Sequence, residues 1–423
     1  MKMRFNLRMK TNLIRGALYL LLPLAACAIP LALGQWQTHA ASSKNNPVVV
    51  CNEQWQMGAD MPSTGVHMVG VWFWANGRFY AMGGRSMDGL GNDFTHPFEY
   101  DPASDTWTIK SATFPDNQVG DMACAVLSDS GKPYIYCVGG SAGGQTTATN
   151  RIFRYNPVTD AIDTIASPWP GNSDGITLPG GFAEFENKLY ILGGFRINTE
   201  MTDTIWEFTP GTNTWTQKAA TLPTPRGYIP TVASYPFIYT AGGSAWNGST
   251  LVDTNDSFEY DPRADSIITI PNMPRATSET GACWFTYGGG GVWVMSGGET
   301  PPNPSNEVDI YAPGANEWMV GTPLLMARRS AAIGTDSARC LFCTSHIWVA
   351  GGYASDGTPL SSMETFCYTV PTPSEPPHLT PTPTPTATAT STVTPPPTPS
   401  PTSTGTPTRR PTPRPRPSLP PRP

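Results

Sequence analysis

The sequence predicts an all-β fold of six similar repeats, and three regular features support this prediction. Glycine pairs recur six times along the 423 residues, at intervals of 49 to 56 residues. Strand-like runs precede the pairs, and a fixed aromatic spacing follows most of them. A constant period near fifty residues is typical of a six-bladed β-propeller with one blade per repeat. The pairs are Gly83-Gly84, Gly139-Gly140, Gly193-Gly194, Gly242-Gly243, Gly297-Gly298 and Gly351-Gly352.

Each glycine pair ends a run of about five aromatic and β-branched residues, a composition that predicts a β-strand. The clearest run is Arg78 to Met82, which follows a second run from Val71 to Ala75. Asn76-Gly77 between them suits a two-residue type I′ turn, because both central residues of that turn need a positive φ. The first two strands of each repeat are therefore predicted to form a hairpin.

A second fixed spacing predicts two more strands in each repeat. An aromatic residue is followed seven positions later by tryptophan or isoleucine, usually around an Asp-Pro or Asn-Pro step that favours a tight turn. Two antiparallel hairpins give the four strands of a propeller blade. The spaced residues are Tyr100/Trp107, Tyr155/Ile162, Phe208/Trp215, Tyr260/Ile267 and Tyr311/Trp318.

The sixth repeat lacks a fourth strand of its own, since only residues 363–370 follow its hairpin before the composition changes. We expect the missing strand to come from residues 48–55, with Trp55 in the place that Trp107 has in the first blade. Pairing the first strand with the last closes the ring and removes exposed sheet edges.

This combination of Gly-Gly, Tyr before Asp-Pro, Trp seven residues later and a following Leu-Pro or Met-Pro resembles the kelch family. The resemblance covers roughly residues 48–370, and it departs from the family where Ile162 and Ile267 replace tryptophan. It implies a six-bladed kelch-type β-propeller, closed by the N-terminal strand. Its inter-blade loops and the loops after each Gly-Gly would share a ligand-binding face. The copper-dependent galactose oxidases are similar proteins, but their ligand set does not map onto this sequence, so we expect no metal and no cofactor.

Residues 1–40 are predicted to be a secretory leader, because five basic residues precede an apolar stretch from Ala17 to Leu33. Cleavage before Ala41 is one interpretation. A lipid-modified Cys27 is another, and an uncleaved anchor is a third. The propeller is then expected to span residues 41–370, in a secreted or surface-tethered protein.

Residues 371–423 are predicted to be a disordered, extended stalk, because 20 of the 53 are proline and 15 are threonine. The arginines at its end could contact anionic wall polymer or lipid. Residues 41–370 carry a formal charge of −15. This follows when the five basic residues of the leader, and the five arginines and one glutamate of the stalk, are subtracted from the charge of the whole chain. Such an acidic domain is not expected to bind nucleic acid.

The cysteines are consistent with an oxidising compartment. Cys124 and Cys137 flank one predicted hairpin, while Cys51 and Cys367 lie on the two strands expected to close the ring. Both couples are predicted disulfides. The pairing of Cys283, Cys340 and Cys343 is left open by the sequence.

The candidate ligand-binding residues lie in the loops of the predicted binding face. Arginine with aromatic groups suits a carboxylate or a sugar, through bidentate hydrogen bonds and stacking. The alternative is that these arginines pair with carboxylates of neighbouring blades. The candidates are Arg85, Arg196, Arg226, Tyr228, Trp246, Arg275, Glu279 and Arg328.

No strong catalytic motif occurs in the sequence, so no catalytic residue is assigned. The preferred hypothesis is a monomeric, non-catalytic interaction module that binds a glycan or a protein at the cell surface. The alternative is a secreted carbohydrate-active enzyme similar to sialic-acid mutarotases, in which Glu279 with Arg226 or Arg275 would supply acid–base chemistry. A structural envelope protein that binds nothing is a third hypothesis.

Overall fold

The computed structural model describes residues 51–144, 146–298, 304–336 and 344–369. The predicted leader and stalk, with Cys27, Cys340 and Cys343, lie outside the described residues. The described chain forms six four-stranded antiparallel sheets, so the prediction of an all-β, six-bladed propeller is confirmed.

The strands follow one another blade by blade, and β1 (Trp55–Gly58) belongs to the last blade. Blade 1 contains β2 (Val69–Phe73), β3 (Arg78–Met82), β4 (Phe98–Asp101) and β5 (Thr106–Ile109). Blade 2 contains β6 (Ala123–Asp129), β7 (Lys132–Val138), β8 (Ile152–Asn156) and β9 (Ala161–Ile165). Blade 3 contains β10 (Thr177–Phe185), β11 (Lys188–Arg196), β12 (Glu200–Thr209) and β13 (Thr214–Thr221).

Blade 4 contains β14 (Thr231–Ser234), β15 (Phe237–Ala241), β18 (Ser257–Asp261) and β19 (Ser266–Ile270), with the small hairpin β16 (Ser244–Trp246) and β17 (Leu251–Asp253) inserted. Blade 5 contains β20 (Ala282–Phe285), β21 (Gly291–Met295), β22 (Val308–Ala312) and β23 (Glu317–Val320). Blade 6 contains β24 (Ala332–Thr335), β25 (Thr344–Ala350), β26 (Met363–Thr369) and β1. Two short 3-10 helices span Pro170–Asn172 and Tyr287–Gly289.

The first strands of the blades line a central channel. Neighbouring first strands contact each other in the order β2, β6, β10, β14, β20, β24 and back to β2, which makes a closed ring. Two faces follow from this topology. The mouth face carries the loops between blades and the loops after each Gly-Gly. The hairpin face carries the turns between first and second strands and between third and fourth strands.

The predicted second hairpin forms, and its residues spaced by seven positions lie directly opposite each other on the third and fourth strands. Tyr100 faces Trp107, and Tyr311 faces Trp318. In blade 6 the same register brings Trp55 opposite Phe366, with ring centroids 5.4 Å apart. These cross-strand aromatic pairs pack the outer halves of the blades that contain them.

The tryptophans of these pairs also connect neighbouring blades. Each indole Nε1 donates a hydrogen bond to a backbone carbonyl of the preceding blade, counted around the ring. The bonds run from Trp55 to Thr322, Trp107 to Ala59, Trp215 to Ser167 and Trp318 to Pro271, at 2.7–3.1 Å. Ile162 and Ile267 cannot make this bond. In their blades Asp160 and Asp265 each accept two backbone N–H groups from the preceding blade, at 2.8–3.4 Å. These two blades are therefore joined to the preceding ones through carboxylates.

Close backbone approach explains the glycine pairs. Gly83 has a φ of +64°, and a Cβ there would lie 2.2 Å from the Val119 carbonyl oxygen of the next inter-blade loop. Gly193 repeats this arrangement, with a φ of +65° and the Arg226 carbonyl oxygen at 2.4 Å. Only glycine fits where one blade's second strand ends against the following loop.

The predicted type I′ turn at Asn76-Gly77 is wrong. Phe73 pairs with Arg78, so the loop has four residues, 74–77, and only Gly77 among them has a positive φ (+65°). The first strand therefore starts at Val69 rather than Val71. In this register alternate residues of β2 are buried.

Two disulfides join the predicted cysteines. Cys124 and Cys137 face each other across β6 and β7, and Cys51 joins Cys367 with their Cα atoms 5.3 Å apart. Cys283 is a buried free thiol. Both ends of the described chain, Cys51 and Thr369, therefore lie on the hairpin face of blade 6.

Candidate functional site

The mouth face contains a cavity of about 160 Å³ that is lined by residues of all six blades. Five of these residues come from corresponding positions, just before the first strand of a blade. They form the mouth ring: His67, Asp121, Tyr228, Glu279 and Ser330. All five have a positive φ, between +49° and +58°, in the left-handed region that non-glycine residues seldom occupy. Strained conformations of this kind concentrate at functional sites.

Backbone hydrogen bonds between blades hold the mouth ring in place. The Ser330 N–H donates to the Glu279 carbonyl at 2.6 Å, and the His67 N–H donates to the Ser330 carbonyl at 2.9 Å. The Asp121 N–H then donates to the His67 carbonyl at 3.1 Å. These bonds link four of the five ring residues from blade to blade, while the side chains line the cavity.

His67 and Asp121 form a hydrogen-bonded pair, with 2.9 Å between His67 Nδ1 and Asp121 Oδ1. Burial disfavours the imidazolium, but the Asp121 carboxylate outweighs it and raises the pKa of His67. Burial likewise opposes ionisation of Asp121, yet His67, with help from Arg85, lowers the pKa of that carboxyl. Both shifts favour an ion pair in which the protonated imidazole donates from Nδ1 to the Asp121 carboxylate.

The adjacent part of the ring, between blades 5 and 6, is organised by Arg329. It pairs with the buried Glu279 carboxylate, which also accepts a hydrogen bond from Ser330 Oγ at 2.8 Å. The guanidinium lies 4.6 Å above the ring of Tyr353, whose hydroxyl is 3.4 Å from His67 Nε2. Burial, and a hydrogen bond to Asp88, raise the pKa of Tyr353, so its phenol stays protonated.

The structure places the eight predicted site residues in four different settings. Tyr228 and Glu279 line the mouth cavity. Arg85 is buried, donates to Asp88 at 3.0 Å, and is close enough to His67 to disfavour its protonation. Arg196 and Trp246 lie outside the cavity lining: Arg196 pairs with Asp174 at 2.7 Å, and Trp246 packs 5.7 Å from Phe195.

The three arginines that recur before first strands are structural. Arg226 pairs with Asp256, Arg275 with Asp309 at 3.1 Å, and Arg328 with Glu364 at 2.7 Å. Each carboxylate belongs to the blade that the loop leads into, so each pair fixes an inter-blade loop onto that blade. The sequence left open that these arginines pair with carboxylates. It indicated carboxylates of a neighbouring blade, whereas the observed partners belong to the same blade.

The sequence reasoning missed His67, Asp121 and Tyr353 as members of the site. A signal for the first two was present, since both occupy the position that Tyr228 and Glu279 occupy in later repeats. It was obscured because five different residue types fill that position: His67, Asp121, Tyr228, Glu279 and Ser330. What the repeats share there is a backbone conformation, which is set by the bonds between blades.

The pH behaviour of the His67–Asp121 pair is testable. Because His67 has a raised pKa, its contribution to stability is complete below about pH 6.5 and is lost as the pH rises through that raised value. Asp121 has a lowered pKa, so its contribution is present above about pH 4 and is lost as the pH falls. We expect Asp121→Asn to lower the pKa of His67, measured by NMR titration of the imidazole.

Asp174→Asn is the matched control for this titration, because that carboxylate pairs with Arg196 away from the mouth ring. It should leave the His67 titration unchanged. An Asp121→Asn protein in which His67 titrates as in the wild type would contradict the assigned pair.

No group of three or more His, Cys, Asp or Glu side chains in the described ranges is arranged to hold a metal ion. Within the same part of the chain, no helix combines the length and the apolar character needed to cross a membrane.

Comparison with known proteins supports the architecture. A sequence model of the Kelch motif matches residues 124–161, within blade 2. The chain is 26% identical over 230 residues to Kelch-like protein terF of Aspergillus terreus, covering 52% of this chain and 47% of that protein. It is 25% identical over 294 residues to Kelch-like protein 23 of Mus musculus, covering 66% of this chain and 45% of the relative.

The chain thus spans less than half the length of these curated relatives. Among solved structures, one titled "Structure of YjhT" superposes with a TM-score of 0.54 at 16% identity, covering 72% of this chain and 95% of that one. At this identity the likeness concerns the fold alone. With six blades, the glycine pairs and the cross-strand aromatic pairs in register, the chain is a kelch-repeat β-propeller.

Proposed function

We propose that this propeller is an exported, non-catalytic interaction module whose mouth face binds a protein or glycan ligand at the cell surface. The observation that carries the proposal is the mouth ring: five blades place polar or aromatic side chains around one cavity, on strained backbone. Binding residues commonly lie on loops that a rigid scaffold positions.

The size and charge of the cavity narrow the ligand chemistry. About 160 Å³ is well below the roughly 300–1,000 Å³ of sites for drug-sized molecules, so one side chain or one sugar ring would enter. Arg85 and Arg329 already pair with Asp88 and Glu279. A ligand with hydroxyl or amide groups therefore suits the mouth better than a ligand with a carboxylate, which would need unpaired arginines.

The positions of the first and last described residues support presentation from a surface. Cys51 and Thr369 both lie on the hairpin face, so neither connecting segment starts beside the mouth cavity. Export by the leader, and contact of the basic end with anionic polymer or lipid, belong to this proposal. So does a monomeric state.

The test is binding by the full chain to a glycan array and to peptides from cell-surface proteins. We expect Tyr228→Asn to weaken binding at least tenfold, because it removes the ring while asparagine still tolerates a positive φ. Tyr235→Ala removes a 68% exposed tyrosine on the hairpin face and should have no effect. Binding that survives Tyr228→Asn but is lost in Tyr235→Ala would show that the ligand binds the hairpin face instead of the mouth face.

A second candidate is the carbohydrate-active enzyme, which the His67–Asp121 pair favours as an acid–base group in a cavity. Glu279 cannot act with Arg226 or Arg275 as the sequence had indicated, because those arginines bind other carboxylates. Mutarotation of N-acetylneuraminate followed by NMR separates the candidates. Acceleration that disappears in His67→Asn would favour the enzyme, and a rate equal to buffer would eliminate it.

A further inference from the structure

The sequence contains two Asn-Gly steps, Asn76-Gly77 and Asn247-Gly248, and the structure places them in opposite chemical settings. At such a step the glycine nitrogen can attack the side-chain carbonyl carbon of the asparagine and close a five-membered ring. Glycine hinders this attack least, because it has no Cβ beside its nitrogen. Both steps lie in four-residue hairpin loops, 74–77 and 247–250. The contacts around each asparagine, rather than the loop length, therefore decide which step reacts.

Asn247 is exposed and begins the loop of the inserted hairpin β16–β17, which belongs to the mouth face. Its side-chain Oδ1 accepts three hydrogen bonds. Ser249 donates two of them, from its N–H and its Oγ, each at 3.0 Å, and the Thr250 N–H donates the third at 2.9 Å. These donors surround the oxygen on which negative charge develops when Cγ is attacked, so they act as an oxyanion hole.

The attacking nitrogen at this step is accessible. Gly248 is exposed, with a φ of +97°, and a Cβ at this position would meet nothing within 4 Å. In the part of the chain that the structure describes, no hydrogen bond holds the Gly248 N–H, whereas the Asn247 N–H donates to the Thr250 carbonyl at 3.2 Å. Hydroxide from solvent can therefore reach the Gly248 N–H and remove its proton.

Asn76-Gly77 has the same chemistry in a protected setting. The Gly77 N–H donates to the Phe73 carbonyl at 3.1 Å, within the loop that joins β2 to β3. Asn76 Nδ2 donates to the Tyr80 hydroxyl at 2.8 Å. Asn76 Oδ1 is buried, and among the described residues no donor reaches it. Attack at this step would break both hydrogen bonds and would place charge on a buried, unsatisfied oxygen, which is costly.

We propose that Asn247 is a site of spontaneous covalent modification, converted to aspartate and isoaspartate through a succinimide, while Asn76 keeps its amide. The Gly248 nitrogen loses its proton to hydroxide and forms a bond to Asn247 Cγ. The Cγ–Nδ2 bond then breaks, and ammonia leaves with a proton from water. Water opens the ring at Cγ to give aspartate, or at the backbone carbonyl to give isoaspartate. The reaction needs no ligand and does not depend on the function proposed for the mouth ring.

The two products change the hairpin in different ways, although each adds one negative charge to its tip. Aspartate keeps a side-chain acceptor for the donors of the loop. Isoaspartate routes the backbone through Cβ and Cγ, so it lengthens the loop by one carbon and displaces that acceptor. The preceding residue, Trp246, packs 5.7 Å from Phe195, which lies 5.8 Å from the ring of Tyr228. Isoaspartate therefore forms next to the aromatic contacts that support one member of the mouth ring.

The experiment follows both asparagines in the full chain, folded in buffer at pH 7.5 and 37 °C and, in parallel, unfolded in guanidinium chloride. Mass spectrometry of tryptic peptides measures the loss of each amide, and an isoaspartate-specific methyltransferase measures isoaspartate. We expect Asn247 to react at least about tenfold faster than Asn76 in the folded protein, because only Asn247 has donors at its Oδ1. In the unfolded chain both settings are lost, so the two rates should agree within about threefold.

Ser249→Ala removes one of the three donors to Asn247 Oδ1, so it should slow the reaction of Asn247 by roughly threefold or more. Ser104→Ala is the matched control, because Ser104 is also an exposed loop serine but its hydroxyl bonds to Thr106 Oγ1, at 2.7 Å. It should leave the rate unchanged. Equal rates at the two asparagines of the folded protein, or an unchanged rate in Ser249→Ala, would overturn the proposal. So would aspartate formed without isoaspartate, because a succinimide yields both.

Discussion

Replacing Glu364 with alanine is expected to destabilise the propeller by about 3–5 kcal/mol, the largest effect among its charged residues. Glu364 and Arg328 are both fully buried, with 2.7 Å between Glu364 Oε1 and Arg328 Nη2. Burial lowers the pKa of Arg328 even though Glu364 opposes this. Without Glu364, a guanidinium would remain in the interior with carbonyl partners but no counter-charge.

The backbone adds to this cost. Glu364 also accepts the N–H groups of Leu325 and Met326, at 2.6 and 3.0 Å, and so orders the loop between blades 5 and 6. Buried donors that lose their acceptor cost about 1–3 kcal/mol each. The measurement is the free energy of unfolding from urea titration at fixed pH.

Glu200→Ala is the matched control, because Glu200 pairs with Arg196 at the surface. Exposed ion pairs contribute about 0–1 kcal/mol, so this variant should resemble the wild type. A Glu364→Ala protein within 1 kcal/mol of the wild type would show that the buried pair does not hold the sixth blade.

Removing the Cys51–Cys367 disulfide by double alanine substitution is expected to cost about 3–5 kcal/mol. The bridge joins cysteines 316 positions apart, and the chain-entropy model gives the greatest stabilisation to the longest closed loops. It also secures the segment before β1, a strand of only four residues, to β26.

Cys124→Ala with Cys137→Ala is the comparison for the second disulfide. These cysteines are 13 positions apart on paired strands, so opening their bridge frees a much shorter loop and should cost less. Peptide mapping without reduction must first recover both bridges in the wild type. If the two double variants unfolded at the same urea concentration, loop length would not explain the stability of the ring.

The repeat pattern predicted the blade in detail because its causes are local or nearly so. The spacing of seven residues between Tyr100 and Trp107 follows from a hairpin whose two strands pair through a short turn. Its recurrence in five repeats made the second hairpin of the blade predictable. The cysteine pairs followed from strand placement in the same way. The turn at residues 74–77 was missed because an Asn-Gly step indicates a turn without fixing its length.

The site was less predictable because its members come from different blades. Arg226, Arg275 and Arg328 were reasonable ligand-binding candidates on sequence, since a single sequence does not reveal that carboxylates about 30 residues later lie beside them. His67 and Asp121, 54 residues apart, meet only when blades 1 and 2 are adjacent.

The sequence by itself thus determined the number of blades, the four strands of each, and the cysteines that pair. These depend on side-chain periodicity and on glycines at close backbone contacts. Only the tertiary structure decided which side chains line the channel and which arginines are neutralised. Those outcomes depend on left-handed backbone positions and ion pairs formed where one blade packs against the next.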